Sequence, residues 1–264
     1  MSRYTAMFDR LAAAREGAFG AFLMLGDPDL ETSARLLDIV VEAGADMIEV
    51  GIPFSDPVAD GPVIQAAAAR ALARGVRPSD CFDLIAGLRS RQPQLPIGIL
   101  TYANLVVARG REHFFRTAAE AGADSLLVAD LPAREAEAWV PQMRDAGLDP
   151  VLIAASNTPA RTLQRIAKLC GGYTYCVTRA GITGDHAEAR FDPGMIERLR
   201  EAGAPPPVFG FGIARPDQVR AALGAGAAGV ISGSAIVSAA FEGRDVGALV
   251  DSLKAATRND SASD

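Results

Sequence analysis

Five short segments of this chain share nearly one spelling. Glu42-Ala-Gly-Ala-Asp46 returns as Glu120-Ala-Gly-Ala-Asp124, and with variation as Asp145-Ala-Gly-Leu-Asp149, Glu201-Ala-Gly-Ala204 and Gly224-Ala-Gly-Ala227. In each, a stretch of helical character runs into a glycine, the residue that most readily takes the left-handed conformation at a helix C-terminus. An apolar, strand-like run follows within a few residues. A helix-to-strand joint used this often describes repeated βα units, and strands connected through helices lie parallel in their sheet.

Strand-like runs fall near 19–25, 46–52, 96–102, 124–130, 149–154, 173–178, 207–211 and 229–233, with segments of helical length between them. Eight such units predict an α/β fold, a single (β/α)₈ TIM barrel occupying residues 1–264, and the 264-residue length suits it. An open, doubly wound sheet is the rival. Eight units with no second-domain linker favour the closed barrel. The helix expected around residues 2–15 would cap the barrel floor, a short extra helix would follow the eighth strand at Ala235-Ile-Val-Ser-Ala, and the polar tail after about 256 would fray.

Charge and composition narrow the partners. A net charge of −6 argues against nucleic acid or an anionic membrane as the main partner. The start of the chain has no signal-peptide core, and no uncharged apolar run of membrane-spanning length occurs, so a cytoplasmic protein is expected. Three cysteines without CxxC spacing suit reduced thiols, and two histidines exclude a His-rich metal site, so no metal is expected.

Barrel active sites form at the C-terminal strand ends. The richest stretch there is Glu49-Val-Gly-Ile-Pro-Phe-Ser-Asp-Pro-Val-Ala-Asp60-Gly-Pro. Side chains alternate along a strand. Ile48, Val50 and Ile52 therefore face the helices, while Met47, Glu49 and Gly51 turn into the barrel. An inward carboxylate is costly unless paired or protonated, and burial raises its pKa toward that of a residue that takes and returns a proton near neutrality. A structural glutamate satisfied by backbone donors is the plainer reading. Asp60 alone reads as a helix N-cap, and Asp56 likewise. Its pairing with an inward Glu49 across a Pro-rich loop is what makes it a second acid–base candidate.

Glycine-rich turns follow the last three strands: Arg179-Ala-Gly-Ile-Thr-Gly184, Gly210-Phe-Gly-Ile213 and Ser232-Gly-Ser-Ala235. Backbone amides and a helix N-terminus there suit a phosphate. Gly224-Ala-Gly-Ala-Ala-Gly229 matches a dinucleotide fingerprint only in letters, because it leads from helix to strand. Cys176 reads as a buried, inert thiol and His186 as a surface loop residue. Tyr173 and Tyr175 share one strand face, with Tyr175 nearer the mouth; for both, and for the anion-facing reading of Arg179, a structural alternative stands.

Taken with Gly-Ile-Leu-Thr-Tyr-Ala-Asn104, Leu-Leu-Val-Ala-Asp-Leu-Pro132 and Gly-Phe-Gly-Ile-Ala214, these motifs resemble the tryptophan synthase alpha subunit family over essentially the whole chain. The resemblance implies retro-aldol cleavage of indole-3-glycerol phosphate to indole and glyceraldehyde 3-phosphate. Glu49 would then be the main acid–base residue, and Asp60 would accept a hydrogen bond from the indole N–H. Phe22, Ile64, Leu100, Leu127, Ala129, Tyr175 and Phe211 would line the indole pocket, with Thr183 helping a loop close over it. Gly184, Gly212, Gly233 and Ser234 would hold the phosphate. Asp56, Asn104 and Pro132 would meet a beta subunit, expected in an alpha2-beta2 assembly, that carries pyridoxal phosphate; this chain would carry no cofactor. A free-standing indole-releasing lyase and a non-catalytic activating subunit are the alternatives.

Overall fold

The computed structural model describes residues 2–177 and 191–258. Nine strand segments form one parallel sheet: β1 (Ala18–Met24), β2 (Met47–Gly51), β3 (Ile97–Thr101), β4 (Ser125–Val128), β5 (Asp149–Val151), β6 (Ile153–Ala155), β7 (Thr174–Val177), β8 (Pro207–Phe209) and β9 (Gly229–Ser232). They run in the order β5-β4-β3-β2-β1-β9-β8-β7-β6. The two ends of that order, β5 and β6, are separated only by Leu152. They are the two halves of one strand, the first paired with β4 and the second with β7. The sheet therefore closes on itself as an eight-position barrel, and the open-sheet alternative falls.

Three strand expectations need correction, the first being the run at 124–130, which ends at Val128, so that Ala129 stands just beyond it. The run at 149–154 is divided at Leu152, whose side chain packs outward while its carbonyl accepts from the Tyr175 amide at 3.1 Å. The run at 207–211 ends at Phe209, so Phe211 stands on the following loop. Of the tail expected to fray, residues 259–264 lie outside the described residues; at its start Thr257 is fully buried, its carbonyl accepts from the Gly17 amide at 2.9 Å, and Arg258 bridges Glu16. The chain is packed through Thr257, at the barrel floor, and the exposed Arg258 pairs with Glu16 at 3.5 Å.

The repeated joints share one geometry. Gly44, Gly122, Gly147, Gly203 and Gly226 all have positive φ, between 70° and 97°. In each, the glycine amide donates to the carbonyl three residues back, and the next amide to the carbonyl five residues back, as Gly44 does to Val41 (2.9 Å) and Ala45 to Val40 (3.1 Å). This is the Schellman closure of a helix C-terminus. The aspartates that end two joints complete the turn into the sheet. Asp46 accepts from the Phe19 amide (3.0 Å) and Asp124 from the Ile97 amide (2.8 Å), each at the start of the neighbouring strand.

Alternation sorts the apolar residues into two cores. Phe19, Ala21, Leu23, Ile48, Val50, Ile99, Leu126 and Cys176 pack between sheet and helices. Ala18, Phe22, Met24, Met47, Leu127, Tyr173, Tyr175, Val208 and Ile231 fill the barrel. The N-terminal helix, Arg3–Ala14, closes the floor by adding Tyr4, Met7 and Leu11 to that inner core. Arg3 pairs with Asp124 (2.7 Å) and Arg10 with Asp46 (2.9 Å), which pin the helix to the joints. Among the described residues no helix is long and apolar enough to cross a membrane.

Candidate active site

Glu49 sits inside the barrel on β2, level with Phe22 of β1 and Gly98 of β3. It is 2% exposed, which removes most of the water that would solvate a carboxylate. Oε1 accepts a 2.8 Å hydrogen bond from the Tyr173 hydroxyl, while Oε2 is buried with no partner among the described residues. Burial pushes the Glu49 pKa up to about 7; the Tyr173 hydrogen bond pulls it down, and the nearby Asp60 charge adds to the rise. Backbone donors do not satisfy this carboxylate, so the plain structural reading of Glu49 does not describe it.

Asp60 ends the loop that follows β2. The next helix, Pro62–Ala73, takes Gly61 as its N-cap without a side-chain capping bond, so Asp60 is not spent as a cap. Its backbone is held instead: the amide donates to Pro57 (3.1 Å) and the carbonyl accepts from Gln65 Nε2 (2.8 Å). The carboxylate is buried, and burial raises its pKa to about 6 against the opposing influence of the Tyr102 hydroxyl beside it. That hydroxyl also accepts the Ala59 amide at 3.2 Å, and the Tyr102 ring stacks on Phe54 of the same loop at 5.2 Å. Two carboxyls with raised pKa values thus share the barrel mouth, each with its own tyrosine.

The apolar candidates gather around them. Phe22, Ile64, Leu127 and Tyr175 belong to the inner core, and Leu100, Ala129 and Phe211 pack against it. Tyr175 meets Phe211 edge-on at 6.0 Å and donates to the Gly210 carbonyl at 3.2 Å. The two late glycine turns are joined by the Ser232 hydroxyl, which donates to the Ile213 carbonyl at 2.7 Å. Gly212 has a φ of +76°, and Gly233 is the N-cap of the helix Ser234–Phe241, again with no side-chain capping bond. The first in-helix bond there runs from Val237 to Gly233 (3.0 Å), so the amides of the turn before it are available to an anion. The extra helix is thus one residue earlier in its start, and longer, than its sequence expectation.

Asp56 and Pro132 are exposed on the loops after β2 and β4, and Asn104 is exposed on the short helix Ala103–Val107 that follows β3. The Ala103 amide, at the start of that helix, donates to Asp130 at 2.7 Å and ties it to the loop after β4. Thr183 and Gly184, with Arg179 and His186, lie outside the described residues. Burial pushes the Cys176 thiol up to about 12, in keeping with an inert residue. Among the described residues no group of three or more His, Cys, Asp or Glu side chains gathers as a metal ion requires. Sequence reasoning did not find the parts played by Tyr173 and Tyr102. Alternation places Tyr173 inside the barrel, but only the closed ring sets it opposite Glu49.

Fold and site first define a class: a closed (β/α)₈ barrel with two buried acids at its C-terminal mouth and an open helix N-terminus beside them. Known proteins narrow it. The profile of the family described as "Tryptophan synthase alpha chain" matches residues 8–260. Proteins of that name from Shewanella amazonensis and Vibrio vulnificus are 51% and 50% identical over 238 residues, 90% of this chain and 90% and 89% of theirs. A solved structure from Aquifex aeolicus VF5 superposes with a TM-score of 0.90 at 36% identity, covering 98% of this chain and 100% of that one. One of Mycobacterium tuberculosis tryptophan synthase gives 0.90 at 32%, covering 98% and 99%. This chain belongs to the tryptophan synthase alpha chain family, and that membership makes it a lyase.

Proposed function

We propose that this chain cleaves indole-3-glycerol phosphate to indole and glyceraldehyde 3-phosphate, with Glu49 as the proton-transferring residue and Asp60 as the acceptor of the indole N–H. The observation that carries this reading is the state of Glu49: buried, bound through one oxygen only, and with a pKa raised to about 7. Such a group holds both protonation forms near neutrality, as acid–base work requires. The reaction needs both. One proton is added to indole carbon 3 and one is removed from the glycerol hydroxyl as the carbon–carbon bond between them breaks. The bond's electron pair stays with the ring, and the hydroxyl carbon becomes the aldehyde. Positive charge on the ring during transfer is stabilised by an ionised Asp60 at the indole nitrogen.

Phe22, Ile64, Leu100, Leu127, Ala129, Tyr175 and Phe211 suit a flat apolar ring, and the Gly212, Gly233 and Ser234 turns, with Gly184, suit the phosphate. All the chemistry is side-chain proton transfer, so the chain works without its own cofactor. We assign the exposed Asp56, Asn104 and Pro132 to a beta-type partner carrying pyridoxal phosphate, in an alpha2-beta2 assembly that consumes the indole in the cytoplasm. Indole release by wild type, Glu49→Gln and Asp60→Asn is the test. The expected loss for Glu49→Gln, with folding retained, is on the order of 10²–10⁴-fold; full activity in that variant overturns the reading.

A further inference from the structure

Four aromatic rings form a column through the barrel, from floor to mouth. The Tyr4 ring lies 5.3 Å from Tyr173, Tyr173 lies 6.5 Å from Tyr175, and Tyr175 lies 6.0 Å from Phe211. Glu49 hangs on this column through the Tyr173 hydroxyl. Tyr173 itself precedes β7, whose pairing to β8 begins at Thr174 and Pro207. The sheet ladder therefore does not fix its ring; its neighbours do. On the floor side that neighbour is Tyr4, which comes from the N-terminal helix, outside the βα repeat.

Tyr4 is seated with care. It is 1% exposed, and its hydroxyl is hydrogen-bonded to the Ser125 hydroxyl at 2.8 Å. Two glycines make room for it. A Cβ at Gly98 would lie 3.0 Å from the Tyr4 hydroxyl oxygen and 2.8 Å from Ser125 Oγ, and one at Gly172 would lie 3.0 Å from Tyr4 Cδ2. Gly172, at φ +63°, is also the turn that delivers Tyr173. We propose that Tyr4 is a positioning residue for the Glu49 carboxylate, acting through the Tyr173 ring, so that the N-terminal floor helix sets the state of a group at the catalytic level of the barrel.

The titratable groups bearing on Glu49 are Tyr4 from the floor helix, Tyr173 and Tyr175 from the β7 segment, and Asp60 from the loop after β2. Its register partners on β1 and β3, Phe22 and Gly98, carry no charge. The Tyr173 hydrogen bond lowers the Glu49 pKa against burial. Removing the ring that backs Tyr173 loosens that bond, and the pKa rises.

The test rests on the reading of Glu49 given above, and is built so that the two fail separately. Tyr4→Met and Tyr4→Leu fill the floor without a ring; their different shapes make it enough that one folds, as judged by a cooperative thermal transition. Tyr4→Phe restores the ring alone. The Glu49 pKa is read in the full chain by carboxyl-carbon NMR, assigned by difference from Glu49→Gln, and kcat and KM for indole release are read against pH. The ring-less variants are expected to move the Glu49 titration and the acid limb of kcat upward by roughly one pH unit, which is about a tenfold loss of kcat on that limb, with KM little changed. Tyr4→Phe is expected to return both toward wild type. Adding Tyr173→Phe to Tyr4→Leu is expected to shift the titration no further than Tyr173→Phe alone. An unmoved Glu49 titration in a folded ring-less variant, or an additive double variant, overturns the proposal. A moved titration in the ring-less variants together with a wild-type chain that releases no indole overturns the functional reading instead.

Discussion

Tyr175 occupies the space in which a side chain at residue 210 would begin. A Cβ built on Gly210 would stand 1.9 Å from Tyr175 Cζ and 2.0 Å from its hydroxyl oxygen, while that hydroxyl donates to the Gly210 carbonyl. Tyr175 is also edge-on to Phe211, which leads into the Gly212 turn. One methyl group at position 210 must therefore displace the ring, and with it a wall of the pocket and the adjoining loop. Gly210→Ala is expected to stay folded and lose on the order of 10²-fold in kcat/KM for indole release, most of it as raised KM, since misplacement by about 1 Å costs this much. Steady-state kinetics check this, and unchanged KM refutes it.

Glu49 makes stability depend on pH in the direction opposite to a salt-bridged acid. Its folded-state pKa, about 7, lies above the ordinary 4.5, so between those values the folded chain binds the extra proton and stability falls as pH rises. The stability given up by pH 8 is about 3 kcal/mol. Glu49→Gln, which cannot ionise, is expected to be more stable than wild type at pH 8 and about equal to it near pH 4. Denaturant midpoints at the two pH values measure this; a variant that gains nothing at pH 8 contradicts it.

Thr101 carries a liability on the other side of the sheet. It is 1% exposed, pairs with Val128 on the helix-facing side of β3, and its hydroxyl has no partner among the described residues. By contrast, Ser125 and Thr174 bond theirs to Tyr4 and to the Pro205 carbonyl. An unpaired buried hydroxyl costs about 1–3 kcal/mol. Thr101→Val keeps the shape and removes that cost. It is expected to raise stability by roughly 1 kcal/mol, visible as a higher denaturant midpoint with an unchanged slope, whereas Ser125→Ala is expected to lower it.

What the sequence disclosed, and what it did not, follows from the range of the interactions involved. The joints are local: five residues carry both the helix stop and the strand start, and all five glycines adopt the conformation their spelling requires. Alternation is also local, which is why Glu49 was legible as inward from Met47 to Ile52 alone. Asp60 was ambiguous because a cap and a site acid look alike until the cap is seen to be Gly61. The tyrosines beside the acids were hidden for another reason. Tyr173 lies 124 residues from Glu49, and Tyr102 belongs to the loop after β3 rather than the one carrying Asp60, so only ring closure and strand order bring them together. The buried start of the tail was missed because Thr257 is polar, yet the floor uses it, and the exposed Arg258 beside it pairs with Glu16.

The run Gly224-Ala-Gly-Ala-Ala-Gly229 allows the joint to be tested within six residues. In a dinucleotide fingerprint its glycines would serve a strand-to-helix turn; here the helix Pro216–Gly224 precedes and β9 follows. The three glycines then differ. Gly224 is the last helical residue, and a Cβ there would meet nothing within 4 Å. Gly226 has a φ of +96°, and its Cβ would come within 3.3 Å of Ile196 Cγ2. Gly229 would place a Cβ 2.6 Å from the Ala18 carbonyl oxygen, at the first pair of the β1–β9 ladder. Alanine at 224 is therefore expected to stabilise by about 0.4–1 kcal/mol, through lower unfolded-state entropy. Alanine at 226 is expected to destabilise by about 1 kcal/mol or more, because a left-handed residue with a Cβ is strained. Alanine at 229 is expected to cost more again, since the obstacle is backbone and cannot swing away. Thermal melts of the three variants give the order directly. Equal losses at 224 and 226 would show that the helix does not end where the joint requires.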